Sequence, residues 1–224
     1  MLYQKPKAVL LDWDGTLVDT RQAVGDAMDY VLRLYDKEPW AIVKQKYRDT
    51  AKSVKGNFPN YFGAKADEAF ARYAAYYRDT TMQTATPMAG AAEFLHLCQK
   101  KNIALYVVSN KEKSLLLAEK EQCFPQVEFV KMLGDGDTRR GKPSPDPVFA
   151  ALQGADYAIT RQNVWQIGDS RQDTDCAFAA GVQAVLLGEG SFMDERYKSE
   201  KSAAPFGMLQ FADFVELNDF IARL

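Results

Sequence analysis

Short apolar segments recur along this 224-residue chain and alternate with segments of helical pattern. Five of them are apolar enough and short enough to be buried strands: 8–11, 103–109, 127–130, 164–168 and 182–187. A mainly apolar run of this length is typical of a strand covered on both faces, and its alternation with helices is typical of a parallel sheet. The sequence therefore predicts an α/β fold built on a doubly wound parallel sheet.

The region between the first predicted strand and Pro87 has a helical pattern throughout. Periodic apolar residues predict three helices there, over about 24–34, 39–55 and 66–77. The segment 56–60, with its Gly, Pro and Asn residues, predicts a loop, and no strand is predicted between about 20 and 86. We therefore expect an α/β core of residues 1–19 and 87–224, with residues 20–86 inserted as a helical cap domain.

Two elements are expected after the last predicted strand. The polar segment 188–206 predicts a surface loop. Apolar residues at helical spacing, including Phe214 and Leu217, predict a final helix over about 213–223.

Composition and charge exclude several classes of function. The chain is 47% hydrophobic and 26% charged, with a net charge of −2. It therefore offers no bulk attraction to nucleic acid or to a membrane surface. No apolar run approaches the roughly 18 residues of a membrane-spanning helix, and the N-terminus has no signal-peptide pattern. We expect neither a nucleic-acid partner nor a membrane partner.

The cysteines and the single histidine narrow the choice further. Cys98, Cys123 and Cys176 are widely spaced and odd in number, so a disulfide framework is not indicated and we expect a cytoplasmic location. His96 falls off the apolar stripe of a helix predicted over 88–101. A histidine-dependent hydrolase and a multi-histidine zinc centre are therefore disfavoured.

The segment Asp12-Trp13-Asp14-Gly15-Thr16 places two carboxylates at the end of the first predicted strand. In open α/β sheets, ligands bind at the carboxyl ends of the strands. Two negative charges so close together are costly to bury unless a divalent cation or a shared proton compensates them. Taken alone, the segment has a simpler explanation, because Asp-Gly is common in turns.

Three later segments also carry polar residues at strand ends or in rigid turns. Ser109 and Asn110 end the second run, where they could grip a phosphate oxygen or simply cap a helix. Lys142 lies in a segment stiffened by three prolines, where it could neutralise an anion or remain a solvated surface lysine. Asp169 and Asp173 follow the fourth run one helical turn apart, which also suits the start of a helix.

Together and in this order, the four segments resemble the haloacid dehalogenase superfamily. The motifs that carry the resemblance are Asp-x-Asp-Gly-Thr, Ser-Asn, Lys-Pro and Gly-Asp-Ser-x-x-Asp, and they extend over about residues 8–180. Trp13 is bulkier than the aliphatic or Phe residue expected between the two aspartates. The resemblance implies a Rossmann-like core with a small helical cap, and it is strongest to the phosphoglycolate phosphatase-like subgroup.

The resemblance implies a Mg²⁺-dependent phosphatase that acts on a small phosphorylated metabolite. Asp12 would be the nucleophile that forms an aspartyl-phosphate, and Asp14 would be the general acid and base. Asp12, Asp169 and the backbone carbonyl of Asp14 would bind Mg²⁺, which prefers oxygen ligands.

The resemblance also implies contacts to the substrate. Ser109 and Lys142 would hold the phosphoryl group as part of the catalytic set, and Thr16 and Asn110 would add substrate contacts. Asp173 would support the site, either as a water-mediated metal ligand or by orienting Lys142. Neither the physiological substrate nor the oligomeric state follows from the sequence.

Four alternatives to a phosphatase have to be weighed. Dehalogenases and phosphonatases lack the second carboxylate of the first motif, so Asp14 argues against both. Mutases of β-phosphoglucomutase type carry a histidine at the cap hinge, where this chain has Val24. A non-catalytic, metal-dependent binding protein remains open, although such a relative would normally have lost Asp12, Asp14, Lys142 or Asp169, and all four are present.

The predicted cap carries a cluster of basic residues: Lys44, Lys46, Arg48, Lys52 and Lys55. Some of them could reach an anionic group of the substrate. For any one of them, a solvated helix face is the better explanation.

Overall fold

The computed structural model describes residues 3–49, 52–191, 193–203 and 207–224. The strands are β1 (Ala8–Leu11), β2 (Val18–Asp19), β3 (Thr86–Pro87), β4 (Ala104–Glu112), β5 (Lys131–Asp135), β6 (Val164–Ser170), β7 (Gln183–Ser191) and β8 (Leu209–Phe211). The helices are α1 (Arg21–Leu34), α2 (Trp40–Tyr47), α3 (Phe58–Phe62), α4 (Ala66–Tyr76), α5 (Ala91–Lys100), α6 (Lys113–Cys123), α7 (Asp146–Ala151), α8 (Arg171–Ala180), α9 (Glu195–Ala203) and α10 (Phe214–Ala222).

A six-stranded parallel sheet in the order β5-β4-β1-β6-β7-β8 forms the centre of the fold. All four residues of β1 are fully buried. Val9 and Leu11 belong to the apolar cluster on one face of the sheet, and Ala8 and Leu10 to the cluster on the other. A strand with both faces covered by helices is apolar on both faces, as β1 is. The predicted α/β class and parallel sheet are confirmed.

The helical insert between β2 and β3 contains α1 to α4. Val18 of β2 pairs with Pro87 of β3, and Asp19 pairs with Thr86, in an antiparallel register. The chain therefore leaves the sheet region and returns to it at neighbouring positions. Ala27 of helix α1 is buried in the same apolar cluster as residues of α3 and α4. The prediction that the inserted region is helical is correct. The exact domain boundaries at 19/20 and 86/87 stay a prediction.

Several local predictions were wrong. The strand predicted over 127–130 is instead β5, which begins at Lys131. Because β5 is an edge strand, it keeps polar residues that hide it from an apolar-run criterion. The predicted loop 56–60 is largely helical, since α3 starts at Phe58. The helix predicted over 39–55 ends at Tyr47, and its positions 50 and 51 lie outside the described residues.

The polar segment 188–206 was also predicted incorrectly as a surface loop. Strand β7 extends to Ser191, and α9 follows over Glu195–Ala203. Helix α9 buries Tyr197 and no other residue, so it has no apolar stripe for the sequence to reveal. Positions 192 and 204–206 of this segment lie outside the described residues.

The predicted exposure of the histidine and the predicted burial of two cysteines agree with the structure. His96 is exposed on α5, and Cys98 and Cys176 are buried. Among the residues described, no helix combines the length and the apolar character that crossing a lipid bilayer requires.

Candidate active site

Three adjacent parallel strands bring the predicted site residues together. Because β4, β1 and β6 are neighbours, their carboxyl ends meet at one edge of the sheet. A cavity of about 320 Å³ opens there, between this edge and the helical insert. The predicted residues that line it are Asp12, Asp14, Ser109, Asn110, Lys142 and Asp169.

Lys142 lies in a buried ion-pair network with two carboxylates. Its Nζ donates to Asp12 Oδ1 at 2.6 Å and to Asp173 Oδ1 at 2.6 Å. The side chains of Lys142 and Asp173 are 3% and 1% exposed. Asp173 therefore contacts Lys142 directly, which favours orientation of Lys142 over the alternative role as a water-mediated metal ligand.

Asn110 holds the segment that carries Lys142. Its Oδ1 accepts a hydrogen bond from the Lys142 backbone N–H at 2.9 Å, and its Nδ2 donates to the Lys142 carbonyl at 2.8 Å. The oxygen and the nitrogen of the Asn110 amide thus both form hydrogen bonds with the backbone of Lys142. Asn110 lines the cavity, but its contacts are those of a residue that fixes the position of Lys142.

The burial of this network shifts the proton affinities of its members. Burial, together with the charge of Asp173, raises the pKa of Asp12 to about 8, although Lys142 opposes the rise. Burial alone would lower the pKa of Lys142, but Asp12 and Asp173 raise it above its ordinary value. The ionised form of Asp12 therefore depends on stabilisation by positive charge close to its carboxylate.

Three carboxylates form a cluster with the chemistry of a divalent-cation site. Asp12, Asp169 and Asp173 each offer an oxygen, and these oxygens lie within 4.8 Å of one another. Gly15 permits this approach: it has a φ of +82°, and a Cβ there would lie 2.8 Å from Asp169 Oδ2. An all-oxygen, partly buried set of this kind fits Mg²⁺ better than a softer metal.

Asp14 points to a different set of partners from Asp12. Its Oδ1 accepts hydrogen bonds from Thr20 Oγ1 at 2.8 Å and from Lys111 Nζ at 2.7 Å. Its carboxylate is not part of the cluster around Asp12. The two aspartates therefore have distinct environments, as nucleophile and acid/base roles require.

Sequence reasoning missed Lys111 and Glu119. Lys111 directly follows Ser109-Asn110 at the end of β4. Its side chain is 7% exposed and pairs with Asp14 and Glu119. Glu119 lies within α6, fully buried. The position of Lys111 next to a recognised motif could have identified it as a candidate site residue. No sequence signal identifies Glu119.

Thr16 is the predicted substrate contact that the structure does not bring to the cavity. It is fully buried beneath the loop and is absent from the cavity lining of the described residues. The turn at Gly15 directs the chain back into the core, where Thr16 N–H donates to the Trp13 carbonyl at 3.3 Å.

The insert contributes positive charge to the opposite wall of the cavity. The members of the predicted basic cluster that line it are Lys44, Arg48, Lys52 and Lys55, and Arg21 lines it as well. Burial lowers the pKa of Arg48, and Tyr61 and Asp169 oppose that effect. Lys46, the remaining member of the predicted basic cluster, instead pairs with Glu38 at 2.8 Å.

Fold and site together define an α/β enzyme whose carboxylates and buried lysine meet at the carboxyl end of a parallel sheet. A family model described as haloacid dehalogenase-like hydrolase matches residues 9–187. The chain therefore belongs to the haloacid dehalogenase-like hydrolase family.

Known relatives support this assignment, because their sequences match this chain over most of their length. The chain is 29% identical to a phosphoglycolate phosphatase of Rhodospirillum rubrum, over 96% of this chain and 91% of the relative. It is 31% identical to a phosphoglycolate phosphatase of Neisseria meningitidis serogroup A, over 80% and 79%. A crystal structure of a superfamily hydrolase from Ehrlichia chaffeensis is 25% identical, covers 100% of this chain and 99% of its own, and has a TM-score of 0.66.

These comparisons confirm the predicted resemblance, the predicted fold and the predicted class of enzyme, a phosphatase-type hydrolase of this family.

Proposed function

We propose that this chain is a Mg²⁺-dependent phosphatase that hydrolyses a small phosphomonoester through an aspartyl-phosphate on Asp12. The observation that carries the proposal is the contrast between the two aspartates of the first motif. Asp12 lies buried against Lys142 at 2.6 Å, while Asp14 lines the same cavity and is held by Lys111 and Thr20. Asp12 is thus placed to act as the nucleophile, and Asp14 to transfer a proton.

The proposed reaction has two steps. In the first, an Asp12 carboxylate oxygen attacks phosphorus, the bond to the alcohol oxygen breaks, and Asp14 gives its proton to the departing alcohol. In the second, water attacks the phosphorus of the aspartyl-phosphate, the bond from phosphorus to the Asp12 oxygen breaks, and inorganic phosphate is released. Asp14 takes up a proton from the attacking water, so that the Asp12 carboxylate and the protonated Asp14 are both restored. Lys142 and Ser109 orient the phosphoryl oxygens from the edge of the sheet.

Asp12 and Asp169, together with the backbone carbonyl of Asp14, would hold Mg²⁺. When bound, the ion neutralises charge that otherwise repels an anionic nucleophile from an anionic phosphate. The raised pKa of Asp12 supports the need for a cation, since burial makes its carboxylate costly without one.

We further propose that the insert, residues 20–86, acts as the cap that selects the substrate. Its basic wall, with Lys44, Arg48 and Lys52, suits a substrate with a second anionic group. The names of the two curated relatives favour phosphoglycolate or a compound of similar size and charge. Val24, at the position where the mutases carry a histidine, also lines the cavity and offers no base.

The test is phosphate release by the purified enzyme, with and without Mg²⁺. The panel contains phosphoglycolate, sugar phosphates, nucleotides, pyrophosphate and p-nitrophenyl phosphate. We expect Mg²⁺-dependent turnover, highest on a small ester with a second negative charge. Metal-independent rates or the absence of release from every ester would contradict the proposal, and interconversion of glucose 1-phosphate would indicate a mutase instead.

A further inference from the structure

A buried polar cluster lies directly behind Asp14. Glu119 is fully buried in α6 and accepts hydrogen bonds from three side chains of different elements. Trp13 Nε1 donates to Glu119 Oε2 at 2.7 Å, Lys111 Nζ lies 2.9 Å from Oε1, and Tyr77 Oη donates to the same oxygen. Both carboxylate oxygens of Glu119 are therefore satisfied.

The surroundings of this cluster are those of an ordinary apolar core. Trp13 packs edge-on against Phe124 at 5.8 Å between ring centroids, and against Phe129 at 6.4 Å. Burying a carboxylate and an ammonium costs several kcal/mol each, and well-packed apolar residues of similar volume often replace such a pair without loss of stability. Packing alone thus gives no reason for charge at Glu119 and Lys111.

Lys111 connects this cluster to the catalytic loop. The same Nζ that pairs with Glu119 donates to Asp14 Oδ1 at 2.7 Å and lies 4.8 Å from the centre of the Tyr77 ring. A lysine side chain is long and flexible, so an isolated Lys111 would hold Asp14 loosely. Glu119 and Tyr77 fix the ammonium from behind, and a fixed ammonium fixes the carboxylate that it contacts.

The two oxygens of Asp14 are used unequally. Thr20 and Lys111 both donate to Oδ1. Among the described residues, no hydrogen bond to Asp14 Oδ2 is found. The carboxylate is therefore anchored through one oxygen, with the other available to a leaving group in the cavity, which is the geometry that general acid catalysis needs.

We propose that Glu119 is a positioning residue that, by holding Lys111, orients Asp14 for protonation of the leaving group. This inference rests on the proposed phosphatase function. Glu119 does not line the cavity, so its effect on the reaction passes through Lys111.

Leaving-group dependence distinguishes positioning from a purely structural role. An alkyl phosphate releases a strongly basic alkoxide and depends on the acid, whereas p-nitrophenyl phosphate releases a stable phenolate and depends on it little. The value of kcat/KM reports the first step, in which Asp14 acts as the acid. A structural defect would lower kcat/KM for both esters alike.

The experiment compares Glu119→Gln with wild type on phosphoglycolate and p-nitrophenyl phosphate in Mg²⁺. Gln keeps the volume, and Lys111 retains Asp14 as its counter-charge, so the variant is expected to fold. We expect kcat/KM to fall by about 10- to 100-fold on phosphoglycolate, a part of the 10²–10⁴ that general acid catalysis supplies, and by less than about threefold on p-nitrophenyl phosphate.

The control is Glu121→Gln on the same helix, because Glu121 is 70% exposed and, within the described part of the chain, forms an ion pair with its neighbour Lys120 alone. It should match wild type on both esters. Should Glu119→Gln not accumulate in folded form, the double variant Lys111→Met/Glu119→Gln removes both charges of the pair, and the same selective loss is expected. Equal losses on both esters, or none, would overturn the positioning role while leaving the phosphatase intact. Wild-type enzyme inactive on both esters would instead refute the proposed function.

Discussion

Asp12 is the residue on which the proposed chemistry depends. Asn at this position keeps the shape of the side chain but removes the nucleophilic oxygen anion. Lys142 would still pair with Asp173 at 2.6 Å, so no buried charge is left without a partner and the fold should persist. We expect Asp12→Asn to lower kcat by at least about 10³-fold, as removal of a covalent nucleophile does elsewhere. Phosphate release and the thermal melting temperature measure the two effects separately, and near-normal turnover would exclude Asp12 as nucleophile.

The raised pKa of Asp12 gives Mg²⁺ binding a definite pH dependence. In the metal-free protein this carboxyl has a pKa of about 8 against an ordinary value of 3.8, so the folded state binds the extra proton between these values. The stability that Asp12 contributes is thus fully present below about pH 4 and is lost as the pH rises through about 8. A cation favours the ionised form and offsets that loss.

We therefore expect the gain in melting temperature on adding Mg²⁺ to increase between about pH 6 and about pH 9. Thermal unfolding in Mg²⁺ and in EDTA, across this range, measures the gain. Asp12→Asn is the control, since it cannot exchange a proton for the cation, and its Mg²⁺ effect should be nearly flat. A gain in wild type that is independent of pH would contradict the role of Asp12 as a ligand.

At the scale of the element, the carboxyl end of β6 requires glycine at position 168. A Cβ there would lie 2.1 Å from Asp173 Cγ and 2.4 Å from its Cβ, so an added methyl group must displace the carboxylate that holds Lys142. We expect Gly168→Ala to destabilise the fold by about 1–3 kcal/mol, as overpacking does, and to reduce activity further by moving Lys142.

Urea unfolding and phosphate release test this expectation against Gly25→Ala. Gly25 lies in α1, where a Cβ would meet Trp40 Cδ1 at an ordinary 3.8 Å. That control should stabilise the protein by about 0.5–1 kcal/mol, because alanine favours a helix. Equal behaviour of the two variants would argue against a special role for Gly168 at the end of β6.

The elements that the sequence predicts well are those with local signals. Strand β1 follows directly from an apolar run, and the start of α8 from the Gly168-Asp169 pair that ends the fourth run. Helix α9 and strand β5 could not be found in this way, because an exposed helix and an edge strand have little apolar periodicity.

The candidate site shows the same limit. Its motif residues are recognisable from the order of four short segments, each of which follows a strand end or lies in a proline-rich turn. The contact of Lys111 with Asp14 joins positions 97 residues apart, and that of Trp13 with Glu119 joins positions 106 apart. The first contact depends on the pairing of β4 with β1, and the second on how α6 packs against the sheet. No local sequence pattern records either of them.

At the scale of the whole molecule, the cavity joins two surfaces with different tasks. The sheet edge supplies the carboxylates and Lys142, whereas the helical insert supplies Lys44 and Lys52 on the opposite wall. The phosphoryl group is expected at the sheet edge, so the remainder of the substrate faces the insert. Charge on the insert should then affect the binding of that remainder rather than the chemical step.

This division predicts the effect of removing the basic wall. We expect Lys44→Ala/Lys52→Ala to raise KM for phosphoglycolate by about tenfold, equivalent to about 1.4 kcal/mol, with little change in kcat. For p-nitrophenyl phosphate, which has no second anionic group, KM should stay within about twofold of wild type. Lys46→Ala is the matched control, because Lys46 lies on the same helix as Lys44 but pairs with Glu38 and does not line the cavity. An equal rise in KM for both esters would mean that the insert contacts the phosphoryl group itself, and the assignment of the second anionic group to the basic wall would then be wrong.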